Sequence, residues 1–250
     1  MRELAKKAIR LASGWIIRRV GTEATAILSS RRTVVVAPHP DDETFGCGAT
    51  IARLRAAGVD VHLLVVTDGG ESPRPAGVSL EQMIVLRQEE TIVALAALGV
   101  ERENITFWDY ADGDLPAHRA DLTDRLTAFL SAQAPEQVMV TSALDRHPDH
   151  AVVGLAARDA VGRLDSPPVL LEYPVWQRVQ AFAYLRRHRE DVGGTQNVVS
   201  RSAVLCASGE FLTQKKSAIA AYESQLPHFP AGFVDDFLQP FEHFATSTRR

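Results

Sequence analysis

The stretch Thr33-Val34-Val35-Val36-Ala37-Pro38-His39-Pro40-Asp41-Asp42-Glu43 decides how this chain is read. Its first five residues are β-branched or small, the make-up of a strand buried on both faces. Its last six form a polar loop. Behind it, Thr44–Ala57 has helical character and stops at Gly58. Strand, polar loop and helix together open a βαβ unit, and the chain continues in that rhythm. Strands are expected at Val59–Thr67, Asn104–Trp108, Gln137–Thr141 and Val169–Tyr173. Helices are expected at Leu80–Leu98, His118–Ala132 and Asp149–Arg163. Asp68-Gly69-Gly70 makes a turn, and residues 71–79 make a loop. The pattern predicts an α/β fold: a Rossmann-like, doubly wound, mostly parallel sheet with helices on both faces. Ligands then belong at the carboxyl ends of the strands. No linker divides residues 33–250, so one domain is expected there, although the rhythm is lost after residue 174.

The polar loop carries the chemistry. One imidazole and three carboxylates fall within five residues, His39 to Glu43. Such a cluster in a crevice is costly unless a cation or a partner neutralises it. Imidazole plus carboxylate suits Zn²⁺, which in catalytic sites takes about three protein ligands. The plainer alternative is a polar loop in which Asp41 or Asp42 caps the next helix. A second cluster, Asp145-Arg146-His147-Pro148-Asp149-His150, follows the strand Gln137–Thr141 and should face the same crevice. Pro148 suits a first helical turn, so His147 or His150 can point into the cleft. The other histidines, His62, His118, His188, His228 and His243, are isolated and read as structural.

Composition narrows the field. The chain has 250 residues, 27 of them Lys or Arg and 31 Asp or Glu, for a net charge of −4. Residues 1–32 hold eight basic and two acidic residues, a local charge of +6 that leaves −10 on the other 218. An acidic body argues against nucleic acid as a partner. The longest apolar run near the start, Leu11–Ile17, is far short of the roughly 18 residues of a membrane span. Two cysteines, Cys47 and Cys206, make neither a disulfide framework nor a zinc-site spacing, and a reducing cytoplasmic location is expected. Residues 3–16 are amphipathic, so the basic extension 1–32 starts with a helix. That helix either packs on the domain or, through residues 1–20, lies on a membrane surface. Arg186-Arg187-His188-Arg189 reads as a solvated face or as a contact for a substrate phosphate. Nothing in the sequence specifies an oligomeric state.

Taken together these motifs resemble the PIG-L/LmbE-like family of zinc-dependent N-acetylglucosaminyl deacetylases. The resemblance rests on Ala37-Pro38-His39-Pro40-Asp41-Asp42-Glu43, on Gly46-Cys47-Gly48, and on His147-Pro148-Asp149-His150. Weaker agreement lies in Thr67-Asp68-Gly69-Gly70-Glu71, Arg87-x-x-Glu90, Leu98-Gly99, Asp112-Gly113, and Lys215-x-x-Ala218 with Tyr222-x-Ser224-Gln225. It covers roughly residues 33 to 245 and leaves the N-terminal extension outside. It implies an LmbE-like deacetylase domain that removes an acetyl group from an N-acetylglucosamine-type amide with zinc-activated water. It further implies zinc held by His39, Asp42 and His150, with Asp41 as general base. His147 would polarise or protonate at the oxyanion side, and Asp149 would orient a histidine. Arg87 and Asp112 would contact the sugar, although Arg87 equally suits a surface position or an ion pair with Glu90. Tyr222 stands where some relatives carry a histidine, which bears on local substrate contacts.

Three other readings use the same residues. A nucleotide-binding protein would use Gly46-x-Gly48 as a phosphate loop and Asp68 at the ribose. Ile51 stands where its third glycine belongs, and the glycines lie inside the helix. A magnesium phosphohydrolase would use Asp41 and Asp42 but would not need the second, histidine-rich cluster. The third is a non-catalytic sugar- or metal-binding module. Tyr173, Trp176, Tyr184, Phe229 and Phe233 can stack on a sugar or carrier, or simply fill the core.

Overall fold

Among the described residues, nine strands build the frame. They are β1 (Thr22–Glu23), β2 (Thr33–Ala37), β3 (Val61–Thr67), β4 (Ile105–Tyr110), β5 (Gln137–Thr141), β6 (Val169–Tyr173), β7 (His188–Val192), β8 (Thr195–Ala207) and β9 (Phe241–Thr248). The computed structural model describes residue 19 and residues 21–176, 188–192 and 195–248. The helix expected at 3–16 lies outside the described residues, as do Tyr184 and positions 186–187 of the basic run. Apart from residue 19, so does the proposed membrane contact of residues 1–20.

The strand order is β1-β8-β9-β6-β5-β2-β3-β4, with β7 added to β8. The five strands from β6 to β4 are parallel, and Val35 of β2 sits opposite Leu63 of β3 and Met139 of β5. β9 runs antiparallel to both β6 and β8. The chain leaves β2 in one direction toward β3 and β4 and resumes on its other side with β5 and β6. The carboxyl ends of β2 and β5 therefore flank the point where the winding reverses, which is where such sheets leave a crevice.

Helices cover both faces. Val35, Leu63, Met139 and Tyr173 point to one core, with α1 (Asp42–Ala56), α2 (Leu80–Ala97), α5 (Leu212–Ala220) and α6 (Phe233–Phe237) over it. Val34, Val36, Leu64, Val66, Val138 and Val140 point to the other, under α3 (Arg119–Gln133) and α4 (Pro148–Val161). Strict alternation along fully buried strands explains why β2 reads as an unbroken apolar run.

The sheet extends past the expected domain limit at its N-terminal end. Thr22–Leu28, which the charge split groups with the extension, packs onto it. β1 pairs with β8, Gln137 Nε2 donates to Leu28 O at 2.9 Å, and Leu28 is buried in the core. The stretch after residue 194 supplies β8, α5, α6 and β9. Among the described residues no helix is long and apolar enough to cross a membrane.

α1 is broken. Cys47, at φ −141° and ψ 20°, interrupts its helical geometry. The break exposes backbone groups on both sides, and long-range partners take them up. Lys215 Nζ donates to Phe45 O at 2.7 Å. Glu242 accepts from Ala49 N at 2.9 Å, Thr50 N at 2.7 Å and Thr50 Oγ1 at 2.6 Å. Lys215 and Glu242 are themselves a buried pair at 2.6 Å. The glycines beside the break make room: a Cβ at Gly46 would stand 2.1 Å from the Tyr173 ring, and one at Gly48 would stand 3.3 Å from Lys215 Cγ.

Candidate active site

The loop after β2 is shaped by its own side chains. Pro38 O accepts from Thr67 N and Thr67 Oγ1, both at 2.9 Å, which ties the ends of β2 and β3 together. Pro38 and Pro40 fix their φ angles on either side of His39. Asp42 Oδ2 accepts the backbone N–H of His39 at 3.0 Å, so its carboxylate closes the loop. Asp41 turns left-handed, at φ 112° and ψ −29°. A non-glycine residue held there costs about 1–3 kcal/mol and persists only where its surroundings enforce it. Asp41, at the cap position of α1, makes no side-chain hydrogen bond to the first N–H groups of the helix. The capping alternative therefore leaves the loop's carboxylates unexplained.

The loop after β5 brings the second cluster to the same crevice. Ser142 N donates to Tyr173 O at 2.9 Å, and His147 N donates to Asp145 Oδ1 at 3.4 Å. His147 then precedes Pro148 at the start of α4, which sets His150 in its first turn.

Three donor atoms meet between the loops. His39 Nδ1 lies 3.2 Å from Asp42 Oδ2 and 3.2 Å from His150 Nε2. His150 Nε2 lies 3.2 Å from Asp42 Oδ2. The far side of each imidazole is turned to carboxylates. His39 Nε2 is 3.0 Å from Asp112 Oδ1 and 3.2 Å from Asp149 Oδ2. His150 Nδ1 is 3.6 Å from Asp145 Oδ2. Carboxylates in those places fix each ring's proton on the far nitrogen and leave the near nitrogen with its lone pair. With both rings neutral, two lone pairs and a carboxylate oxygen converge, which calls for a cation. Tetrahedral ligands about 2.0–2.1 Å from an ion are about 3.3 Å apart, so the triangle fits zinc. Two wider sets share His39: His39 with His147 and His150, and His39 with Asp112 and Asp149, each with donor atoms within 4.8 Å. The second set uses the outer nitrogen of His39, and the first brings in a ring that stands edge-on to His39. The 3.2 Å triangle is the better cradle.

The electrostatics match a cation site. Burial opposes charge on His39, but hydrogen bonds to Asp112, Asp149 and Asp42 outweigh it and hold the imidazole well above its ordinary value. Burial opposes charge on His150 too, and Asp42 and Asp145 push it up to about 9. Burial works against the charge of Asp42, but His150 and His39 hold its carboxyl far below the usual range. Protons on these rings fill the role that a metal takes over when it binds.

Asp41 stands apart from the triangle. Its Oδ2 accepts from Arg87 Nη2 at 3.1 Å. Burial, countered by Arg87 and reinforced by Asp42 and Glu43, pushes its carboxyl up to about 8. Arg87 is buried, donates also to Pro40 O, Gly69 O and Ser72 Oγ, and lies 4.0 Å from Asp112 Oδ2. Arg87 and Asp112, expected at the sugar, thus stand behind Asp41 and His39. Glu90 accepts from Ser224 N at 2.7 Å and Ser224 Oγ at 2.6 Å instead of pairing with Arg87. His147 is half-buried, its ring centroid 4.7 Å from that of His39 and 4.8 Å from that of His150. Burial, and then the charges on His39 and His150, lower its pKa, which favours the neutral ring. Asp149 is fully buried, accepts from Gly113 N at 2.8 Å, and orients His39.

Glu43 and Asp145 lie inside the two sequence clusters, but their partners, and those of Tyr222, come from distant parts of the chain. Tyr222 is fully buried and hydrogen-bonds to Glu43, away from any substrate surface. The phosphate-loop rival also fails: Tyr173 fills the space at Gly46, and Glu242 occupies the N–H groups of Ala49 and Thr50.

Comparison with known proteins agrees with this geometry. The chain is 31% identical over 219 residues to the 1D-myo-inositol 2-acetamido-2-deoxy-alpha-D-glucopyranoside deacetylase of Geodermatophilus obscurus, covering 83% of this chain and 72% of that one. It is 26% identical over 200 residues to the diacetylchitobiose deacetylase of Thermococcus kodakarensis, covering 79% and 71%. Its fold superposes on the N,N'-diacetylchitobiose deacetylase of Pyrococcus horikoshii with a TM-score of 0.65 at 22% identity, covering 86% and 84%. Residues 34–161 match the PIG-L profile, described as GlcNAc-PI de-N-acetylase, and this chain belongs to the PIG-L family.

Proposed function

We propose that the protein is a zinc-dependent N-deacetylase acting on an N-acetylglucosamine-type sugar conjugate, releasing acetate and the free amine. The observation that carries this reading is the triangle of His39 Nδ1, Asp42 Oδ2 and His150 Nε2, 3.2 Å on each side, with Asp41 unspent beside it. The two relatives compared above are both deacetylases, which supports it. His39, Asp42 and His150 would hold the ion. When bound, zinc supplies a Lewis acid that polarises a carbonyl oxygen and acidifies water. Asp41 accepts the proton of the attacking water: its carboxylate is held by Arg87 Nη2 at 3.1 Å and is not spent on the triangle. His147, neutral at rest, offers one N–H to the oxygen on which charge develops. Asp41 then returns its proton to the leaving amine nitrogen, which balances the hydrolysis without an imidazolium. Asp149 and Asp112 hold His39 in place, and Arg87 fixes the carboxylate of Asp41.

The test is acetate release from a panel of N-acetylglucosamine conjugates, after chelation and with Zn²⁺ restored. Asp41→Ala should keep its metal and lose about 10²–10⁴-fold in turnover. His39→Ala should lose both metal and turnover. Near-wild-type activity in Asp41→Ala would refute the mechanism.

A further inference from the structure

Asp41 does not hold its backbone turn unaided. Its carbonyl accepts from Thr44 N and Phe45 N, both at 3.0 Å, and its own N–H donates to Glu43 Oε2 at 3.2 Å. Glu43 is in turn held from the far side. Its Oε1 accepts from Thr44 Oγ1 at 2.8 Å and from the Tyr222 hydroxyl. Tyr222 arrives from just beyond α5, 179 residues away in sequence. Glu43, Thr44 and Tyr222 are all fully buried, and none of them belongs to the metal triangle. A buried carboxylate needs a reason, and this one spends an oxygen on the single N–H of a strained residue. The result is visible in two adjacent carboxylates that face different partners: Asp42 faces His39 and His150, while Asp41 faces Arg87.

We propose that Glu43 and Tyr222 are positioning residues for Asp41. Tyr222 fixes Glu43, and Glu43 fixes the left-handed turn that separates the Asp41 carboxylate from that of Asp42. This rests on the reading of Asp41 as the base.

Three variants test it: Glu43→Met, Glu43→Gln and Tyr222→Phe. Each is measured for bound zinc per chain, for kcat and KM on the N-acetylglucosamine conjugates, and by crystallography for the Asp41 φ angle. Glu43→Met and Tyr222→Phe should keep wild-type zinc content and lose about 10–100-fold in kcat, with KM within about threefold, because a misaimed base fails in the chemical step. Glu43→Gln should retain more, since its amide oxygen still accepts the Asp41 N–H. In Glu43→Met, Asp41 should leave positive φ. The proposal is overturned by kcat within about twofold of wild type in both Glu43→Met and Tyr222→Phe. It is equally overturned by Asp41 staying at positive φ in Glu43→Met, or by a kcat loss that tracks zinc loss. If Glu43→Met does not fold, Tyr222→Phe decides by the same kinetic criteria. Should the wild type release no acetate from any conjugate, the functional reading fails, and the φ comparison still decides the brace.

Discussion

One oxygen of Asp145 serves three partners. Oδ2 accepts from Val175 N at 2.9 Å and Trp176 N at 3.1 Å, and faces His150 Nδ1 at 3.6 Å. The charge on this carboxylate raises the basicity of His150 at its other nitrogen, the one in the triangle. Asp145→Asn keeps an oxygen for the two backbone groups but removes that charge. Zinc affinity, read by competition with a chelator, should fall about 10–100-fold while the fold is retained. Unchanged affinity would mean that Asp145 serves only the backbone. Residues at this scale differ in how far the sequence reveals them. His39, Asp41, Asp42, His147 and His150 announce themselves by density, because so many titratable groups in a few positions have no cheap structural use. Asp145 sits inside one of those clusters, yet its role depends on Val175 and Trp176, 30 and 31 positions on. Such convergence leaves no local pattern.

α1 shows the same contrast within one element. Its start at Asp42 was legible to within two residues, because the left-handed Asp41 ends the loop there. Its break at Cys47 was not legible, because Gly46-Cys47-Gly48 resembles a phosphate loop until Tyr173 and Lys215 are seen filling the space beside it. The break is held by the buried pair Lys215–Glu242, whose members also bind Phe45 O, Ala49 N and Thr50 N. Removing one member leaves the other's charge buried without its ion pair. Lys215→Met and Glu242→Leu should each cost about 3–5 kcal/mol of unfolding free energy. The double variant should cost less than the two together, by about 2 kcal/mol, because no lone charge is left behind. Urea denaturation of the four proteins measures this. Strict additivity would show that the two residues act separately and that the pair does not clamp the helix.

At the scale of the molecule, the chemistry and its support come from different stretches of chain. Every residue proposed to hold metal or move a proton lies between 39 and 150, inside the span 34–161 that matches the family profile. The five parallel strands that carry them were readable, since alternating buried strands and helices repeat one local pattern. The stretch after 194 was not, because β9 pairs antiparallel with both β8 and β6, and these contacts are non-local. Yet this stretch supplies Lys215, Tyr222 and Glu242, the partners of α1 and of the Asp41 turn. β9 also covers the edge of β6, which would otherwise present unpaired backbone groups. A chain ending at residue 207 keeps every proposed ligand, and with them Asp41 and His147. It should nevertheless lose cooperative unfolding in urea and fail to retain zinc through gel filtration, because the crevice has lost its back wall. A truncated chain that unfolds in one sharp transition and keeps one zinc would show that residues 1–207 suffice, and that the segment after them, β9 included, serves only to cap the sheet.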